Sequence, residues 1–282
     1  MNILTFDIEE WFHILDNDST KNEREWSNFS DRLEVNIERI FELLERKNQK
    51  ATFFCLGWVG RKYPKLIKKI SELGYEVASH SDLHQLAYEQ SREAFKTDLE
   101  KSIKSLEDLI GKKVRTYRAP GFSVKEENKW VFEELVKQGI EIDCSIFPAK
   151  RTHGGFESYG YAEPSIINID GMQLKEFPIN LFQVVNKNLI FSGGGYFRIF
   201  PYWMIKLMMK KSDYVMTYFH PRDFDPDQPI IKGLSMQRKF KSYVGLGTAF
   251  DKLERLITDF EFIDVNQVDK VIEWNNQKII TL

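Results

Sequence analysis

The feature that most constrains this chain is an alternation that runs through four units and into a fifth strand in its first half: a short apolar, β-rich run, then an amphipathic stretch of helical period. Asn2–Phe6 reads as a strand. Residues 33–47 read as a helix with Leu33, Ile37, Ile40, Phe41 and Leu44 on one face. The pattern continues with strands at 51–56, 75–79, 114–117 and 140–144. Between them come helices at 64–73, closed by Gly74, and 94–110, ended by Gly111. Ser123-Val-Lys-Glu126 has the spacing of a capping box for a further helix running to about residue 138, with Gly139 stopping it. Such alternation predicts parallel strands with helices packed outside, in a barrel or a doubly wound sheet. From 147 to 200 the pattern loosens into Gly-, Pro- and aromatic-rich sequence with Ser192-Gly-Gly-Gly195 at its centre, read as insertions and short antiparallel strands. Order returns with a strand at 214–219, a helix at 248–260 and a strand near 262–265. No Ser-, Pro- or charge-rich linker, repeat or low-complexity tract divides the chain, so residues 1–282 are expected to form a single domain.

Composition excludes several function classes. Forty Lys and Arg stand against 42 Asp and Glu, a formal charge of -2, with no dense basic stripe, which argues against nucleic acid as a partner. Cys55 and Cys144, the only cysteines, sit in apolar runs and read as reduced, buried thiols. No apolar window is long enough to span a bilayer. The acid at Asp7 falls where a signal peptide needs an apolar stretch, so a cytoplasmic protein that is not an integral membrane protein is expected.

Ionisable residues gather at the predicted strand ends. Asp7, Glu9 and Glu10 follow the first strand and His80 and His84 the third. Arg118 ends the fourth, Asp143 lies at the end of the fifth, and His220 directly follows 214–219. In a parallel β/α fold these ends share one face, where such folds build their sites. His80-Ser-Asp-Leu-His84, taken as a helical turn, points two imidazoles the same way toward one cation. Two histidines and a carboxylate leave coordination positions open for water, as a catalytic metal needs. Strand alternation past Asp7 puts Asp7 and Glu9 on one side and Glu10 on the other, favouring Glu9 as the ligand; the bland alternative for these acids is a solvated loop or a helix cap. In the tight turn Arg118-Ala-Pro-Gly121, the arginine suits a fork of hydrogen bonds to a carboxylate, and the N–H after Pro120 suits a developing oxyanion. Trp11, Phe12, Trp58, Tyr196 and Phe197 are candidate stacking walls for a sugar ring, Trp11 foremost because it follows the acidic turn; core packing is the alternative for each. His13 and His153 have no assigned role.

In order along the chain, Thr5-Phe-Asp7, His80-Ser-Asp-Leu-His84, Arg118-Ala-Pro-Gly121, Asp143-Cys-Ser145 and Tyr218-Phe-His220-Pro221 resemble the signature motifs of the polysaccharide deacetylase family, the NodB-homology carbohydrate esterases. Asp7-Ile-Glu-Glu-Trp-Phe12, Gly193-Gly-Gly-Tyr-Phe-Arg198 and His220-Pro221 resemble a subgroup linked to bacterial exopolysaccharide and surface-glycan biosynthesis. The resemblance implies a distorted (β/α) barrel with fewer than eight complete strand–helix units. It also implies a Zn²⁺-dependent (or other divalent transition metal) hydrolase that removes an N-acetyl group from an amino sugar of a glycan or glycan precursor. By the same resemblance Asp7 is the general base, His80 and His84 are metal ligands, and Arg118 orients Asp7. The Gly121 N–H lies at the oxyanion, and His220 is the general acid tuned by Asp143. The family pattern carries two adjacent Asp residues; here Ile8 takes the second place, and Glu9 is the implied third ligand. Two other readings stand beside this one. One is a non-catalytic glycan-binding protein on a deacetylase-like scaffold; the other is a metal-free glycoside hydrolase using Asp7 with Glu9 or Glu10.

Overall fold

The computed structural model describes residues 1–15, 17, 19–151, 153–185 and 187–282. Its strands are β1 (Asn2–Ile3), β2 (Thr5–Ile8), β3 (Thr52–Cys55), β4 (Glu76–Ser79), β5 (Thr116–Tyr117) and β6 (Ile142–Asp143). They continue with β7 (Ser165–Ile169), β8 (Met172–Glu176), β9 (Phe182–Val184), β10 (Lys187–Leu189), β11 (Val215–Met216) and β12 (Lys278–Thr281). Eight form one sheet in the order β12-β7-β8-β6-β5-β4-β3-β2. Every neighbouring pair is parallel except the β7–β8 hairpin. Strands β2, β3 and β4 are buried along nearly their whole length, as strands covered on both faces must be.

The sheet curls toward a barrel without closing. Beyond β2 the ladder continues into the segment after β11, where Asp7 N–H donates to Phe219 C=O at 2.7 Å and Phe219 N–H to Thr5 C=O at 3.1 Å. Tyr218 N–H in turn donates to Ser192 C=O at 3.1 Å. Within the sheet, the chain leaving β8 runs beside the end of β6, with Ile179 N–H donating to Ile146 C=O at 2.9 Å. Among the described residues, this segment and the one around β11 meet through side chains. Asn180 Oδ1 accepts from Met216 N–H at 3.1 Å, and the Tyr214 hydroxyl donates to Pro178 C=O at 2.6 Å. The molecule is thus an α/β fold with a mostly parallel central sheet and no closed barrel.

The helices follow the apolar periodicity. Leu33–Arg46 buries Leu33, Ile37, Ile40, Phe41 and Leu44 against the sheet. Arg92–Ile110 starts where the Ser91 side chain accepts from Ala94 N–H and ends at Gly111, whose φ of 66° needs glycine. The expected capping box at Ser123 does not form. Its hydroxyl accepts from Ala87 N–H instead, a single turn covers Glu126–Asn128, and the helix proper is Trp130–Lys137. The expected strand near 262–265 reduces to a single bridge between Ile3 and Ile263, because Asp264 caps a helix over Val265–Val271. The Gly- and aromatic-rich region does supply the antiparallel pairs β7–β8 and β9–β10, and also a short helix at Gly194–Ile199; a second helix, Tyr202–Lys210, follows it. Cys55 and Cys144 are free and buried.

Candidate active site

Asp7 sits within β2, and Glu9 lies just past its end, both buried. His80 leaves the end of β4, and the loop to His84 is a bend rather than the expected helical turn. Ser81 and His84 both adopt left-handed φ, 73° and 55°, which breaks any helix. Tertiary contacts hold that strain. His84 N–H donates to Ser81 Oγ at 3.0 Å, and Asp98 accepts from Asp82 N–H at 2.8 Å and Leu83 N–H at 3.2 Å. The Asp82 carboxylate is itself clamped by Arg61 at 2.5 Å and Lys101 at 2.8 Å. The two imidazoles still converge, with ring centroids 5.3 Å apart.

Glu9, His80 and His84 each offer one ligand atom, and these atoms lie within 4.8 Å of one another. His84 Nε2 is 2.6 Å from Glu9 Oε2, and both side chains are buried. Burial alone would raise the Glu9 carboxyl, but the imidazoles of His84, His220 and His80 outweigh it and hold it below the ordinary carboxylate range. His80 Nδ1 lies 2.8 Å from Arg118 C=O; a carbonyl can only accept, so Nδ1 carries the proton and Nε2 keeps its lone pair for a ligand. Burial brings His80 down to about 4, so its ring is neutral at pH 7, the form a metal binds. A neutral imidazole at His80, a second imidazole at His84 and an ionised carboxylate at Glu9, all buried and within reach of one point, fit a divalent transition metal. Glu10 points elsewhere. It accepts from the N–H groups of Arg32 and Leu33 at 3.1 Å, capping the helix at 33–46, and from the Tyr63 hydroxyl at 2.7 Å.

Arg118 is fully buried and does reach Asp7, though not as a fork. One nitrogen, Nη1, donates at 2.7 Å both to Asp7 Oδ1 and to Thr5 Oγ1, while Nη2 has no partner in the structure. Asp7 Oδ2 is left facing His80 Nε2 at 4.0 Å and His220 Nε2 at 3.7 Å. His220 Nε2 also stands 3.6 Å from Glu9 Oε1. The carboxylate behind His220 is Asp223, not Asp143: Asp223 Oδ2 accepts from both His220 Nδ1 and His220 N–H at 3.0 Å. Burial disfavours an imidazolium there, yet Glu9, the Asp223 hydrogen bond and Asp7 together raise His220 to about 9. Asp223 is brought down to about 2 against burial by Arg198 and His220. Asp143 turns into the core, where it accepts from Ser145 Oγ at 2.6 Å and Ser145 N–H at 3.1 Å and hydrogen-bonds Glu176. Burial raises both of these carboxyls.

Gly121 has φ 62°, and a Cβ there would come within 2.6 Å of Leu15 Cδ1. Trp11 is not a wall of the site. It is 4% exposed, its Nε1 donates to Ser30 C=O at 2.8 Å, and its ring packs edge-on to Phe12 and Phe29. Tyr196 is exposed. His13, unassigned from sequence, lies behind His84 with ring centroids 5.9 Å apart, and its Nδ1 accepts from Glu10 N–H at 3.1 Å. The signal for Asp223 was a box-like spacing, His220-Pro-Arg-Asp223, with proline at the first turn position.

Fold and site together define a class: an α/β protein whose strand ends gather a candidate His-His-Glu metal centre beside an Asp–Arg pair and an Asp–His pair. Residues 17–142 match the family model for polysaccharide deacetylase, and residues 144–270 match a domain of unknown function, DUF3473. Residues 17–142, a little under half of the chain, are thus similar to the polysaccharide deacetylase family. It is 28% identical over 97 residues to a peptidoglycan-N-acetylglucosamine deacetylase of Bacillus cereus, covering 34% of this chain and 35% of that protein. It is 29% identical over 126 residues to a Helicobacter pylori peptidoglycan deacetylase, covering 45% and 40%. With PgdA of Listeria monocytogenes, a peptidoglycan-N-acetylglucosamine deacetylase, identity is 36% over 96 residues, covering 34% and 20%. The chain thus spans well under half the length of these relatives. A solved Mycobacterium smegmatis protein assigned to the polysaccharide deacetylases superposes with a TM-score of 0.69 at 18% identity, over 99% of this chain and 92% of that one. A CE4-family pseudoenzyme of Bacillus anthracis superposes at 0.50 and 14% identity, over 99% and 66%. These two likenesses concern the fold alone.

Proposed function

We propose that this protein is a metal-dependent hydrolase that removes the N-acetyl group of an amino sugar in a glycan or glycan precursor. The observation that carries the reading is the convergence of Glu9, His80 and His84 within 4.8 Å of one another, beside Asp7 and His220. Those three residues would hold the ion; Zn²⁺ suits the donor set, and when bound it polarises the amide carbonyl and makes water acidic. The chain's own residues do the rest. Arg118, through Nη1, fixes one oxygen of Asp7 and leaves Oδ2 free to take a proton from the attacking water. Thr5 shares that guanidinium nitrogen and helps to set its direction. The Gly121 N–H is the proposed donor to the oxyanion. An amine leaves well only when protonated, and His220, kept as imidazolium by Asp223, is the donor. A metal-free glycoside hydrolase fits less well, because Glu10 is occupied as a helix cap and Asp7 and Glu9 both turn into the same cluster.

The test is acetate release from a panel of N-acetylated saccharides, with elemental analysis of the purified protein. Expected are one equivalent of metal, loss of release with chelator, and loss in Asp7→Asn and His80→Ala. Chelator-insensitive release, or full activity in both variants, would refute the mechanism. Bound metal with no turnover on any saccharide would favour the glycan-binding alternative.

A further inference from the structure

Away from the site, residues 190–212 and 228–250 together carry eight Lys and Arg and not one Asp or Glu, in a chain where acids slightly outnumber bases. The two segments lie side by side. The Arg198 guanidinium donates to the carbonyls of Lys241 at 3.0 Å, Ser242 at 2.7 Å and Val244 at 3.2 Å. They also hold many of the exposed large apolar side chains among the described residues: Ile199, Trp203, Leu207, Ile230, Met236 and Phe240. On the helix Tyr202–Lys210, Trp203 and Leu207 are one turn apart on the outer face, continued by the exposed Lys210 and Lys211, while Ile205, Met208 and Met209 face inward. The helix Met236–Tyr243 buries none of its residues; Met236 is 81% and Phe240 62% exposed, with Arg238, Lys239 and Lys241 between and beside them. A helix with Met and Phe a turn apart among lysines and no protein face to bury them against has the composition of an interfacial helix.

We propose that this face docks on an anionic lipid bilayer surface, with the apolar side chains entering the headgroup boundary and the lysines meeting lipid charge. Lys206 is paired with Asp259 at 2.8 Å, but Lys210, Lys211, Lys239 and Lys241 make no ion pair among the described residues. A two-fold contact would set these like charges against each other, which favours the lipid surface over a second copy of the chain. The exposed Trp, Leu, Met and Phe select it over a soluble polyanion, which offers them nothing to bury against. No helix among the described residues is long and apolar enough to cross a membrane, so the contact is made on the surface. Arg198 joins this face to the site: its Nε lies 3.2 Å from Oδ1 of Asp223, the partner of His220. The proposal stands or falls independently of the chemistry at that site.

The experiment is vesicle flotation of the full chain, comparing phosphatidylcholine alone with phosphatidylcholine containing about 30% phosphatidylglycerol. The chain is expected to float with the anionic vesicles only, and to be released by high salt. Trp203→Ser with Leu207→Ser is expected to weaken partitioning about tenfold or more, from lost apolar burial. Lys210→Gln with Lys211→Gln is expected to weaken it about 25-fold, at roughly fivefold per charge. All four side chains are exposed, so melting temperature should not move. Should the first pair unfold the chain, Met236→Ser with Phe240→Ser asks the same of the other helix. Absence of flotation on anionic vesicles, or flotation of both apolar-pair variants equal to the parent, would overturn the proposal. So would a dimer in sedimentation equilibrium that the same substitutions dissolve, which would assign the face to a second copy.

Discussion

The exchange of Asp143 for Asp223 behind His220 gives the sharpest test of the site. Asp223→Asn keeps an oxygen for the His220 Nδ1–H but removes a full charge held at 3.0 Å. A hydrogen bond to a charged group contributes about 1.5–3 kcal/mol, so its loss lowers the imidazolium pKa by roughly 1–2 units. In the metal-free protein His220 starts at about 9, so in the variant it should titrate at about 7–8. At pH 8.5 the protonated fraction drops from about three quarters to about a tenth, whereas at pH 6 both forms are almost fully protonated. The general acid works protonated, so activity is lost as pH rises through its pKa, and the variant's basic limb should lie roughly 1–2 units below the parent's. The assays are NMR titration of the His220 imidazole in metal-free protein and kcat for acetate release across pH 5.5–10 on metal-loaded protein. Asp143→Asn is the control: it acts at Ser145 and Glu176 and should leave the basic limb where it is. An unmoved limb in Asp223→Asn, or a limb moved by Asp143→Asn, would refute the assignment.

Glu10→Ala should cost about 2–4 kcal/mol in denaturant unfolding, because the N–H groups of Arg32 and Leu33 and the Tyr63 hydroxyl lose their acceptor, yet metal affinity should hold. Glu9→Gln should do the reverse, losing metal by equilibrium dialysis with little effect on apo stability; matching behaviour of the two variants would show the ligand assignment to be wrong. Gly121→Ala puts a methyl 2.6 Å from Leu15 Cδ1 at φ 62° and should destabilise by at least about 1–2 kcal/mol; an unchanged unfolding midpoint would contradict the packing. Trp11→Ala should cost about 3–5 kcal/mol as a core truncation, whereas Tyr196→Ala should leave stability alone and raise KM if its exposed ring touches sugar. A Trp11 variant of normal stability with raised KM would return that indole to the binding surface.

What the sequence revealed depended on how many partners each residue had to choose from. Apolar periodicity located the helix at 33–46 within a residue and the buried strands β3 and β4 nearly as well, since a side chain on the wrong face of a fully covered strand has nowhere to go. Strand-end logic brought Asp7, Glu9, His80, Arg118 and His220 to one place, because parallel strands must finish on one side of the sheet. Alternation separated Glu9 from Glu10 for the same reason.

Polar partners were harder to read, and the failures share a cause. Ser123 had the spacing to cap its own helix, but Ala87 N–H, 36 residues away, took the hydroxyl. Asp143 stood at the right strand end to serve His220, but β8 lies beside β6 and brings Glu176 to it, through a hairpin the sequence shows only as loosened pattern. His80 and His84 converge although the turn between them is no helix, since Asp98, Arg61 and Lys101 set the bend from outside the motif. A hydroxyl or carboxylate accepts from whichever donor folding delivers, so several partnerships have similar energy and only the third dimension ranks them. The candidate metal ligands escape part of this ambiguity: donors to one ion must all reach one point, and Glu9, His80 and His84 do so although the turn between the two histidines is no helix.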